Sequence, residues 1–170
     1  MLMYRAKHAS RWSDVSAATK LIGVTAIITA FMATAALAQS GHFVGTPTCT
    51  DIGTQVQCSG KVAGLGGTTF EITVSAEGIA TVECSNPAGN VAPGQDTEVT
   101  VSGSSGPLAT PRNGQYRFTL TSADPEPLPP TPTCPNAKWT ADIVDVTFTT
   151  ATLSLLEDGA VSDTITVSVS

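Results

Sequence analysis

Apolar and polar side chains alternate with a period of two through most of the chain after Gln39, and few folds tolerate that pattern. Val56, Cys58 and Val62 face one way while Gln55, Gln57, Ser59 and Lys61 face the other. Phe70, Ile72, Val74 and Ala76 alternate with Thr69, Glu71, Thr73 and Ser75. Ala80, Val82 and Cys84 continue the scheme, then Val99 and Val101, then Tyr116, Phe118 and Leu120. The last run sets Val161, Ile165, Val167 and Val169 against Thr164, Thr166 and Ser168. Strict alternation rich in Thr and Val predicts antiparallel strands buried on one face only. No segment after Gln39 carries a helical stripe.

The breakers fall between these runs. Gly64 to Gly67, Glu77-Gly78, Asn86 to Gly94, Asn113-Gly114 and Asp158-Gly159 each read as a turn or loop. Asp158-Gly159 between two alternating runs is the strongest hairpin signal. From Trp139 to Leu156 the apolar phase changes twice. Trp139, Ala141 and Ile143 share one phase, Val144, Val146 and Phe148 the other, and Leu153 and Leu155 return to the first. The slips predict a bulge near Ile143-Val144 and a bend or crossing near Thr149-Thr150. Short strands with turn signals at roughly ten-residue spacing predict an all-β, antiparallel β-sandwich, immunoglobulin-like in size, with about seven to nine strands. A closed barrel is the alternative. Six prolines between Asp124 and Pro135 cannot sit inside a sheet, so this stretch reads as a connection crossing between sheets.

The N-terminal end supplies the context. Arg5, Lys7, Arg11 and Lys20 precede an uncharged run from Leu21 to Ala38 that closes on Ala36-Leu37-Ala38. A basic region, an apolar region and an A-x-A site read as a helical signal peptide over residues 1–38, leaving 39–170 as a single secreted β-sandwich domain. A retained anchor is the other reading of the same run. After Ala38 only Lys61, Arg112, Arg117 and Lys138 remain against thirteen acids, a formal charge of −9. That balance argues against nucleic acid and against an anionic membrane surface as partners.

Cys49, Cys58, Cys84 and Cys134 are an even set in an exported chain, which points to disulfides. Metal ligation would want C-x-x-C spacing or histidine partners, and neither is present. Of three possible pairings the favoured one joins Cys49 to Cys58 as a local clasp and Cys84 to Cys134 as a long-range staple. The loop-closure model assigns these roughly 2.7 and about 4 kcal/mol. Trp139 is expected to pack near the longer bridge, as in immunoglobulin-type cores.

Catalytic chemistry finds little support. A Ser-His-Asp or Cys-His site needs a histidine, and His42, in the first short run, is the one candidate after Gln39. Gly64-Leu65-Gly66-Gly67 lies between strands with no helix to follow, so it does not read as a phosphate cradle. Calcium is the one ion worth weighing, with Asp96 and Glu98 or Asp142 and Asp145 as ligands. Asp142 and Asp145 would share a face only if the bulge near Ile143-Val144 forms. No cofactor and no catalytic residue is expected.

Gly60-Lys61-Val62-Ala63-Gly64-Leu65-Gly66, Cys84-Ser85-Asn86-Pro87-Ala88-Gly89-Asn90 and Cys134-Pro135-Asn136-Ala137-Lys138-Trp139 together resemble small secreted bacterial proteins of unknown function. The resemblance covers most of residues 42 to 157. It implies export and a compact domain, and no activity. The expectation for function is a noncatalytic secreted or cell-envelope module, structural or binding, with an envelope or extracellular protein or glycan as partner. A secreted small-molecule carrier or protease inhibitor is the alternative.

Overall fold

Half-buried strands must put their apolar faces somewhere, and here two sheets face each other across a core of Val, Ile, Leu, Phe and Ala. The computed structural model describes residues 40–170, so the signal peptide expected over residues 1–38 and its A-x-A site lie outside the described residues. Five strands lead: β1 (His42–Phe43), β2 (Thr48–Asp51), β3 (Val56–Ala63), β4 (Thr69–Ser85) and β5 (Val91–Pro93). Then come β6 (Thr97–Ser104), β7 (Leu108–Ala109), β8 (Tyr116–Thr121), β9 (Thr140–Glu157) and β10 (Ala160–Ser168). In the first sheet β3 is central, with β8 on one edge and β1 and β2 end to end on the other. The second sheet runs β10-β9-β4, and β7, β6 and β5 line up along the free edge of β4. All named strand pairs are antiparallel. Ten strands thus fill seven positions, because short segments share two of the edges.

The phase slips of residues 139–156 are two bulges within one unbroken strand. Thr81 pairs with Asp145 and Val82 with Ile143, which leaves Val144 over. Glu77 pairs with Thr150 and Gly78 with Phe148, which leaves Thr149 over. Each extra residue restores the inward phase, so Val146, Phe148, Ala151, Leu153 and Leu155 are all buried. Val144, the bulged residue, is turned out and 48% exposed.

Two expectations need correction. Glu77-Gly78 is not a turn but the middle of β4, where Gly78 lies against Phe148 on β9 and Val99 on β6. A mid-strand glycine marks a close approach, not a reversal. Val161 does not face the core. It is 64% exposed, because a bulge between Val161 and Asp163 flips the start of β10. Trp139 is half-buried, in the turn closed by its N–H and the Asn136 carbonyl just before β9 begins.

The Asp158-Gly159 reversal is as expected, with φ of 47° and 83°, the double positive φ of a tight β9–β10 hairpin. The proline-rich segment leaves β8 in one sheet and reaches β9 in the other. Its short helical turn at Pro130–Thr133 contains an extended Thr131. Both lateral edges of the sandwich are bridged. On one side Val169 pairs with Cys49, and Ser170 donates to the Cys49 carbonyl at 3.1 Å. On the other, Ala123 donates to the Ser102 carbonyl at 2.8 Å.

Cys49 and Cys58 are register partners on β2 and β3, joined by a disulfide with a Cα separation of 4.1 Å. Cys84 on β4 is joined to Cys134, 50 residues on, with a Cα separation of 5.8 Å. Two bridges and no free cysteine among the described residues fit an oxidising setting. No helix among the described residues is long and apolar enough to cross a membrane.

Candidate functional site

The residues singled out by chemistry do not converge. His42 is exposed on β1 opposite Ala63, its Nδ1 3.3 Å from the Ser40 carbonyl oxygen. The depression beside it, about 510 Å³, is lined by Arg112, Gln115 and the Gly64–Gly66 backbone. No nucleophile–acid pair joins the imidazole there. Asp96 lies in the loop before β6, and Glu98 is exposed on β6. The Val144 bulge does carry Asp142 and Asp145 onto one outward face. Asp142 accepts from the Ser85 hydroxyl at 3.3 Å. No group of three or more His, Cys, Asp or Glu side chains placed to hold a metal occurs among the described residues.

The dense polar cluster lies elsewhere, at the β9–β10 hairpin. Glu157 Oε2 accepts the Gly41 N–H at 2.6 Å, while Oε1 accepts those of Gly66 at 2.7 Å and Gly67 at 3.2 Å. Asp158 accepts the N–H groups of Thr68 and Thr69 at 3.0 and 2.9 Å. Asp163 Oδ2 accepts that of Phe43 at 2.8 Å. Partial burial works to raise the Glu157 pKa, but the hydrogen bonds from Gly41, Gly66 and Gly67 outweigh it and hold the carboxyl below its ordinary value. The Thr69 and Thr68 amides hold Asp158 low in the same way. The Gly66 and Gly67 amides of the glycine-rich loop are thus occupied by the chain's own carboxylate. Sequence reasoning missed it because Glu157 is 90 residues from Gly67. The usable signal was a run of glycine amides with no helix or strand to satisfy them.

A second feature lies on the outward side of the first sheet, where Lys61 on β3 and Arg117 on β8 are direct register partners. A shallow depression of about 450 Å³ covers them, shared with Thr48, Ser59 and Thr119. No family model matches the chain, and a search of the curated proteins finds no match to it.

Proposed function

We propose that this protein is a noncatalytic, exported β-sandwich module that binds an envelope or extracellular protein or glycan, or serves a structural role there. The observation that carries the reading is the character of the two outer sheet faces. They are built from Thr and Ser rows that lie in register across several strands. One such row is Ser102, Ser75, Thr152 and Thr166, across β6, β4, β9 and β10. Broad hydroxyl-bearing faces on a rigid, cross-linked scaffold suit recognition of an extended surface. The strand order, three positions in one sheet and four in the other, supports an immunoglobulin-like assignment. The A-x-A leader and the two disulfides support export with cleavage after Ala38.

Immobilised protein incubated with its own cell envelope, followed by mass spectrometry of what is retained, tests the binding role. A discrete envelope component enriched over an unrelated β-sandwich supports it. Retention no different from that control counts against it. The intact mass of the exported form checks the cleavage site.

A further inference from the structure

Charge is segregated between the two outer faces. The outward positions of the second sheet carry Glu71, Glu77, Glu83, Glu98, Asp142 and Asp145, and its strands contain no Lys, Arg or His. The first sheet is the reverse. Its outward side holds Lys61 and Arg117, with His42 at one end. Its strands contain one carboxylate, Asp51, which turns away to accept the N–H groups of Gly53 at 2.9 Å and Phe148 at 3.3 Å.

Lys61 and Arg117 sit directly opposite each other. Like charges in that position destabilise a sheet. A chain with thirteen acids and four bases after Ala38 has ample means to offset such a pair, yet no outward carboxylate in the first sheet does so. An anionic group bound between the two would relieve the repulsion, with the Arg fork supplying paired donors and the Lys a point charge. The rows beyond are neutral and hydroxyl-bearing. Thr48, Ser59 and Thr119 form one, Thr50, Gln57 and Thr121 the next. Phe118 borders the depression, but like Phe43 it belongs to the buried core. Phe43 and Phe118 are buried and pack edge to face with centroids 6.0 Å apart. Phenyl rings packed into the core offer no stacking platform for nucleobases. Paired cations followed by rows of hydroxyl and amide groups match a ligand that is at once anionic and polyhydroxylated.

We infer that the outward face of the first sheet binds an acidic glycan, with Lys61 and Arg117 holding its carboxylate. This rests on the reading of the protein as a binding module and names the ligand class. The test is calorimetric titration of the exported protein with polygalacturonate, using dextran as the neutral comparison. Polygalacturonate should bind at low ionic strength, weaken at physiological salt, and outcompete dextran. The K61Q/R117Q variant should lose about tenfold or more in affinity, with no fall in melting temperature because a repulsive pair has been removed. E98Q/D142N, on the opposite face, should bind as the unaltered protein does. Unchanged affinity in K61Q/R117Q overturns the proposal, and so does equal binding of dextran. Self-association at low salt that K61Q/R117Q abolishes also overturns it, because a second copy's acidic sheet would then be the occupant. Capture of the same envelope component by the unaltered protein and by K61Q/R117Q overturns this face while leaving the module reading in place.

Discussion

Glu157, the last residue of β9, accepts the N–H of Gly41 at 2.6 Å across 116 residues of sequence. Gly41 is buried at that point, with a Leu155 and a Leu65 methyl each 2.9 Å from where its Cβ would be, so a larger residue would have to push those methyls aside and water has little access. Removing the acceptor strands that buried amide and leaves those of exposed Gly66 and half-buried Gly67 to water. E157A should therefore cost about 1–3 kcal/mol of stability, read from urea denaturation. E157Q should fall between, because one carboxamide oxygen still accepts while its NH2 faces a donor. An E157A variant as stable as the parent would show that the cradle contributes nothing.

The same cluster sets a pH dependence. Glu157 and Asp158 both have folded pKa values below their ordinary ones. A depressed carboxyl pKa contributes stability that is fully present above the unfolded value and is lost as pH falls through the folded one. Stability should thus be level above about pH 4.5, the ordinary value for Glu157, and should decline as acid protonates the pair. Denaturation midpoints at a series of pH values check the sign. E157Q should flatten the decline, and a midpoint that rises on acidification would contradict it.

What the sequence made legible was whatever repeats within one strand. The two bulges of β9 could be read because apolar side chains change phase at Val144 and again at Thr149. The bulge in β10 could not, because Val161 and Ile165 keep the same odd-numbered phase across it and the pattern looks unbroken. Gly78 was read as a reversal because a glycine after an acid in an alternating run resembles a turn, and only the facing Phe148 shows otherwise. The carboxylate cradle and the Lys61–Arg117 pair depend on which strands become neighbours, and alternation does not encode that.

Gly78 allows a sharp check on the bulged region. A Cβ there would lie 2.6 Å from Val146 Cγ1, 2.8 Å from Phe148 Cδ1 and 2.9 Å from the Thr147 carbonyl oxygen. Val146 and Phe148 are buried, so neither has room to withdraw. G78A should destabilise by about 1–3 kcal/mol through overpacking, whereas S75A, on the exposed face of the same strand, should stay within about 0.5 kcal/mol. Equal effects from the two would mean that the β4–β9 seam relaxes freely.

The two disulfides should differ in worth for a reason visible in the sheets. Cys49 and Cys58 are already opposite each other in the β2–β3 ladder, and β2 is also held by Ser170 through the carbonyl of Cys49 and the N–H of Asp51. Cutting that bridge leaves the ladder to hold the strands together. Cys134 has no such support. The proline-rich segment before it is tied by few bonds, chiefly Gln95 N–H to the Thr133 carbonyl at 3.0 Å and the Thr54 hydroxyl to Asp124 at 2.7 Å. Its bridge to Cys84 fixes this connection to a central strand and closes the longer loop. C84S/C134S should therefore lose about 4 kcal/mol, lowering the melting temperature by roughly 15 °C, and C49S/C58S should lose less. Thermal unfolding of both double variants, followed by circular dichroism, gives the ranking. Peptide mapping of the nonreduced protein must first recover Cys84 joined to Cys134. Equal losses from the two variants would mean that the connection is held by packing of Leu128 against the core and not by its disulfide.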